Sequence, residues 1–303
     1  MARKTQELMV NAWRAGVVIP AFNIPHLPMM EPVVRALRDT GTFGLIQVAR
    51  LEWEKFQAKS IRAIRDEYAI CKDERFTRLH LDHVPVVDED GSRVDFAAII
   101  REALDLGYES VMVDGSRLPF AENAACSRQV AELAHAAGVP VEAELGAVLG
   151  HEAGPLPPYE ELFASGQGFT DPDEARRFVE SSGVDWLSVA IGNVHGAISG
   201  AAKSQKKVEA RLNIEHLDAI RAAAAVPLVL HGGSGIRKEY LHRAFRHGIA
   251  KINVGTSLRQ AYEKGVAHSV AAGQQAVYEA MVEIVRVELA VAGSAAVVNP
   301  PGC

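Results

Sequence analysis

Cysteine is scarce in this chain: Cys71, Cys126 and Cys303 are odd in number and far apart. That spacing excludes a disulfide framework or a zinc ribbon and fits reduced thiols. No apolar run is long enough to span a bilayer, and the opening Met-Ala-Arg-Lys leads into polar residues and Arg14 rather than an apolar stretch. The expected location is therefore cytoplasmic, with no membrane partner. Excess positive charge is missing too. With 38 acidic against 32 basic residues and a formal charge of −6, the chain carries no footprint for nucleic acid. It has no Gly-Lys-Ser/Thr P-loop and no Gly-x-Gly-x-x-Gly fingerprint, and Asp88-Glu89-Asp90-Gly91 lacks the terminal glutamate of a calcium loop. What remains is a chain of 303 residues, 48% hydrophobic, able to bury a full core and suited to a small-molecule role.

Short β-branched apolar runs recur along it, each followed by a turn and then an amphipathic stretch. Eight can be counted: Val17–Asn23, Phe43–Ala49, Thr77–Asp82, Ser110–Gly115, Pro140–Leu145, Trp186–Gly192, Pro227–Gly232 and Ala250–Gly255. Helical spacing marks Met30–Thr40, Asp95–Leu106, Ala121–Ala137, Asp173–Ser182, Glu215–Ala224 and Arg237–His247. Asp171-Pro172-Asp173-Glu174 supplies an N-cap acid, a proline at the first helical position and a glutamate at the third.

This string suits a closed (β/α)8 TIM barrel or a doubly wound open sheet. The polar residues favour the barrel. Asn23, Asp82-His83, Asp114, Glu142 and Glu144, His195, His231 and Asn253 sit at the ends of different strands, which converge on one face only in a barrel. The expectation is one domain over residues 1–303, with the barrel at about 17–270 and a C-terminal helix and tail at about 271–303. Connections of roughly 25 residues after the fifth strand and about 20 after the sixth are long enough to act as lids.

Three histidines, His83, His195 and His231, stand just after three different strands. Neutral imidazoles suit zinc or a similar divalent ion, and three protein ligands leave a position for substrate. His80 shares a strand face with Asp82 and is expected to pack or orient, while His26 and the remaining histidines are expected at the surface or in loops. Asp82 is the candidate acid/base. Asp114, Glu142 and Glu144 are expected to support the histidines, with Asp114 and Glu144 as alternate ligands. Glu152, on the lid after the fifth strand, is a carboxylate that could enter after substrate and exchange a proton with carbon. Gly232-Gly233-Ser234-Gly235 and Asn253-Val254-Gly255-Thr256 follow the seventh and eighth strands, where barrels hold phosphate on backbone N–H groups and hydroxyls.

These residues make the chain resemble the class II, metal-dependent ketose-bisphosphate aldolases, the fructose- and tagatose-1,6-bisphosphate enzymes of carbohydrate metabolism. The match runs through Ala21-Phe22-Asn23, His80-Leu81-Asp82-His83, Val113-Asp114-Gly115-Ser116, Glu142-Ala143-Glu144-Leu145-Gly146, His195-Gly196, His231-Gly232-Gly233-Ser234-Gly235 and Lys251-Ile252-Asn253-Val254. The resemblance implies a divalent ion, usually zinc, on His83, His195 and His231. It implies proton transfer by Asp82, a lid glutamate at Glu152, and dihydroxyacetone phosphate held by Asn23, Gly196, Gly232, Ser234, Asn253 and Thr256 beside a monovalent cation. It also implies a homodimer or homotetramer. The chain departs from the family where Ala49-Arg50-Leu51-Glu52 follows the second strand in place of a serine and an acid, and where Arg117 replaces a histidine. Arg50 is expected either to pair with Glu52 or to clamp a distal anion, and Arg117 is a second candidate contact to that anion. Two alternatives stay open: an aldolase for a different sugar phosphate or acidic ketose, and a non-catalytic barrel subunit.

Overall fold

The computed structural model describes residues 3–146, 158–193, 210–233 and 236–301. Eight parallel strands close on themselves in sequence order: β1 Ile19–Asn23, β2 Gly44–Ala49, β3 Thr77–Pro85, β4 Ser110–Asp114, β5 Val141–Leu145, β6 Trp186–Val189, β7 Leu228–Leu230 and β8 Ile249–Val254. Closure is made by β1 and β8, where Ala21 lies beside Asn253. The open-sheet reading of the same string is thereby excluded.

The period of two sorts each strand between two environments. Leu79 and Leu81 of β3, Val141 and Ala143 of β5, and Ile46 and Val48 of β2 join one large apolar cluster with the surrounding helices. Their alternate neighbours His80 and Asp82, Glu142 and Glu144, and Gln47 are equally buried but polar. Lower in the barrel the core is apolar again, with Leu45, Trp186 and Val229 packed on Leu8 and Met9 of an N-terminal helix, Thr5–Ala15. That helix precedes the expected start of the barrel. Its Gln6 accepts a hydrogen bond from the Trp186 indole at 2.6 Å, which satisfies the polar edge of a fully buried ring.

The helix expected after Asp171 starts at Pro172 and ends at Ser182, and Asp171 accepts from the Glu174 N–H at 2.9 Å. Additional helices at Arg50–Lys55, Ile61–Cys71, Tyr159–Ser165 and Thr256–Val266 escaped the periodicity reading. The C-terminal segment is helical over Val270–Glu283 and continues as a π-helical turn, Ile284–Glu288. Among the described residues no helix is long and apolar enough to cross a membrane.

The strands β6 and β7 end three and two residues sooner than expected, short of glycines in left-handed backbone. Gly192 and Gly232 have φ of 109° and 69°, a region that opens to glycine at little cost. A Cβ at Gly192 would lie 2.6 Å from the Arg211 carbonyl oxygen. The third strand is instead longer than expected, because it contains a bulge: Leu81 to Val84 on β3 faces Val111 to Val113 on β4. His83, the extra residue, sits at φ 34°. Such backbone costs on the order of 1–3 kcal/mol in a non-glycine residue and concentrates at functional sites. In a regular strand Asp82 and His83 would point to opposite faces. The bulge brings both to the same one.

Candidate active site

The C-terminal end of the barrel opens into a cleft lined by Asn23, Asp82, His83, His231, Gly232, Gly233, Asn253 and Thr256 among others. Asp82 is 1% exposed and sits in a cage of donors. Asn23 and Gln47 amides donate to its Oδ2 at 3.1 and 3.2 Å, and Asn253 donates to Oδ1 at 3.0 Å. Burial alone would raise its pKa, but positive charge at His83, Lys251 and His231 outweighs burial and holds the carboxyl below the usual carboxylate range. Asp82 is thus an ionised group presented to the cleft, able to take a proton.

His83 and His231 face each other with ring centroids 4.5 Å apart. Asp82, His83 and His231 can each offer one ligand atom such that all lie within 4.8 Å of one another, and His83, Asp114 and Glu144 form a second such group. His83 Nδ1 lies 3.4 Å from Asp114, whose other oxygen accepts from the Ser116 hydroxyl at 2.6 Å. His231 is bonded on both sides, Nδ1 to Glu144 at 3.0 Å and Nε2 to Glu142 at 2.9 Å. Burial pushes the His83 imidazole down, but Asp82, Asp114 and Glu144 win and push it up to about 10. The potential at this spot favours positive charge, and the donors are imidazole and carboxylate. That combination fits a divalent ion. One carboxylate contact of His231 would have to yield a nitrogen to it.

Beneath lies a layer in which His80 and Glu142 were expected but Lys251 was given no role. Lys251 on β8 is completely buried, with its Nζ 2.8 Å from Glu142 and 3.8 Å from Asp82. The Glu142 contact is an ion pair without hydrogen-bond geometry. Burial would raise the Glu142 carboxyl, yet Lys251 and the His231 hydrogen bond hold it at about 2. His80 Nδ1 meets the Ser110 hydroxyl at 2.9 Å, and burial together with Lys251 pushes its pKa down to about 3. His80 is a neutral packing and orienting residue. Lys251→Met should leave Glu142 and Asp82 as uncompensated buried charge and cost about 3–5 kcal/mol of stability. Urea denaturation checks this, and Lys251→Met combined with Glu142→Gln should recover much of the loss. An unchanged midpoint in the single variant would show that the pair carries no such weight.

On the phosphate side, Gly232, Gly233, Gly255 and Thr256 share the cleft, and Thr256 opens the helix Thr256–Val266. Helix N-termini and glycine turns present N–H groups to an anion. A Cβ at Gly233 would meet the Ile252 side chain at 2.7 Å, so glycine keeps the turn close to β8. Asn23 and Asn253 face Asp82 with their amides. Glu152, His195, Gly196 and Ser234 lie outside the described residues.

The expected pairing of Arg50 changes. Arg50 pairs with Glu54 at 2.8 Å and Asp88 at 3.6 Å, not with Glu52. Glu52 is buried and lines the cleft, because its side chain turns back to the Ala49 N–H. His26, expected at the surface or in a loop, is in the loop after β1 but buried, its ring 5.0 Å from that of Tyr262. Arg117 is exposed.

Fold and site together define a barrel protein with a cation-competent pocket at its C-terminal face. The chain belongs to the class-II fructose-bisphosphate aldolase family, whose model matches residues 3–296. That family is generally dependent on a divalent metal. The YdjI aldolase from Escherichia coli K12 is 28% identical with a TM-score of 0.75, the match covering 97% of this chain and 100% of that one. A putative fructose-1,6-biphosphate aldolase from Coccidioides immitis is 26% identical, TM-score 0.75, over 96% and 98% of the two chains. A fructose-bisphosphate aldolase from Campylobacter jejuni, 18% identical with a TM-score of 0.73 over 95% and 94%, shares the fold.

Proposed function

We propose that this chain cleaves and forms a carbon–carbon bond of a ketose bisphosphate of the fructose- or tagatose-1,6 type, exchanging it with dihydroxyacetone phosphate and an aldehyde. The observation that carries this reading is the ionised Asp82, caged by three amides and placed beside the facing imidazoles of His83 and His231. His83, His195 and His231 would hold the divalent ion, zinc by preference, which when bound supplies Lewis acidity at the ketone and hydroxyl oxygens of the substrate. The phosphate lies against Gly196, Gly232, Ser234, Asn253 and Thr256, where a monovalent cation would share the anion's charge.

In the cleavage direction Asp82 takes the proton from the hydroxyl on the carbon that becomes the aldehyde. The carbon–carbon bond breaks, its electrons pass to the ketone fragment, and Glu152 returns a proton to the carbon left behind. The reverse sequence builds the bond. No lysine needs to form a Schiff base, and Lys251 is committed to Glu142.

A panel of ketose phosphates, assayed for dihydroxyacetone phosphate release before and after chelation, tests the proposal. Release is expected from at least one bisphosphate, lost with chelator and restored by added divalent metal. Release that survives exhaustive chelation would refute the metal-dependent mechanism, and no release from any member would favour a non-catalytic barrel.

A further inference from the structure

The cleft contains a second carboxyl that the mechanism above does not use. Glu52 is the third residue of the helix Arg50–Lys55 and is 8% exposed. Its Oε2 accepts from the Ala49 N–H at 2.8 Å and faces the Asn23 amide at 3.4 Å. Both contacts fall on that one oxygen, and among the described residues Oε1 has no partner. The same Asn23 amide donates to Asp82 at 3.1 Å. One amide therefore ties Glu52 to the carboxylate that handles the aldehyde oxygen.

Position in the barrel assigns Glu52 to a half of the substrate. The glycine turns and Thr256 that suit a phosphate follow β7 and β8, whereas Glu52 follows β2, which is separated from β8 by β1 and neighbours β3, the strand that carries Asp82. The neighbouring cleft residues Ala49 and Leu51 carry no polar side-chain atom. An oxygen on the aldehyde half that reaches this wall has Glu52 as its hydrogen-bond partner. We propose that Glu52 is a specificity-determining residue that donates a hydrogen bond from its carboxyl to a hydroxyl oxygen on the aldehyde half of the substrate. The assignment rests on the aldolase reading and deepens it.

Electrostatics support the donor role. Burial, with the charge of Asp82 adding to it against the Ala49 hydrogen bond, pushes the Glu52 carboxyl up to about 8. At neutral pH it keeps its proton. Because Oε2 faces two N–H groups, the proton belongs on Oε1, toward the cleft. A buried donor without a partner is costly, and a ligand hydroxyl would remove that cost while an aldehyde lacking the hydroxyl would not.

The competing explanation is that Glu52 only caps its helix through the Ala49 N–H, half of a capping box. Condensation of dihydroxyacetone phosphate with glycolaldehyde and with acetaldehyde, which differ by one hydroxyl, separates the two. The wild type should prefer glycolaldehyde. Glu52→Met should lower that preference in kcat/KM on the order of tenfold or more, whereas Glu52→Gln, whose amide can also donate, should retain it within about threefold. Should Glu52→Met fail to fold, Glu52→Asp keeps an acid in the first helical turn but withdraws the carboxyl by one methylene, and should lose the preference as well. An equal fall with both aldehydes, or an unchanged preference in both Met and Asp variants, overturns the proposal. Solvent deuterium exchange into dihydroxyacetone phosphate, measured without aldehyde, keeps the two readings apart. Exchange in the wild type with unchanged aldehyde preference in the variants overturns the role of Glu52 alone. A wild type that neither exchanges nor condenses overturns the aldolase reading and this assignment with it.

Discussion

His231→Ala is expected to strip the divalent ion and abolish cleavage together. The ring is 1% exposed, lies 4.5 Å from His83, and joins the carboxylates of β5 to the end of β7. Its removal takes away one of three proposed ligands and leaves Glu142 and Glu144 without their shared imidazole. Loss of an outer partner of a metal ligand typically costs about 10–100-fold in affinity or activity. Loss of the ligand itself should exceed that. Metal content of the purified variant by elemental analysis, read beside dihydroxyacetone phosphate release, checks the expectation. Glu142→Gln is the control, since it should stay within about 10–100-fold. Full metal occupancy in His231→Ala would remove His231 from the ligand set.

The backbone around His231 is held independently of any metal. The Asn193 amide donates to the His231 carbonyl at 3.0 Å while its oxygen accepts from the Ile191 N–H at 2.9 Å. The ends of β6 and β7 are thus tied together by one side chain. A deficit in His231→Ala is therefore readable as loss of the imidazole rather than of the strand end.

How much of this was legible in the sequence depends on the kind of physics involved. The barrel was legible because eight apolar runs recur with amphipathic stretches between them and gather polar residues toward the C-terminal ends of many different strands. The bulge at His83 was not, because an extra residue in a strand alters no composition and shows only in the register with β4. Lys251 could have been found by the period of two along a strand, since it shares a face with Asn253. A lysine on a barrel's inner face demands acids nearby, and Glu142 on β5 meets that demand from across the interior. Glu52 was misread because charged residues two positions apart at a strand end resemble a solvated pair. Helix geometry decides otherwise: the first turn lets Glu52 curl back onto the Ala49 N–H and sends Arg50 out to Glu54, one turn on.

Asp82→Asn is expected to separate the two halves of the reaction. The substitution keeps the shape of the side chain and removes its ability to take a proton. Carbon–carbon cleavage should fall by roughly 10²–10⁴-fold, the usual worth of a positioned acid–base group. Exchange of the carbon-bound proton of dihydroxyacetone phosphate should persist, because that step is assigned to Glu152 and needs no aldehyde oxygen. The cage around Asp82 adds a structural cost. Asn23, Gln47 and Asn253 all donate to it, so an asparagine must turn its own NH2 toward at least one donor, and some loss of stability is expected. Melting temperature and metal content therefore come first, and kinetics are read on folded, metal-loaded variant only. Asp82 is held ionised well below the usual carboxylate range. The acid limb of the wild-type pH–rate profile should accordingly arise from another group, and the basic form of Asp82 should be fully present at neutral pH. If exchange and cleavage fall by the same factor in metal-loaded Asp82→Asn, the carboxylate acts on the bound ketone as a whole, and its assignment to the aldehyde oxygen is wrong.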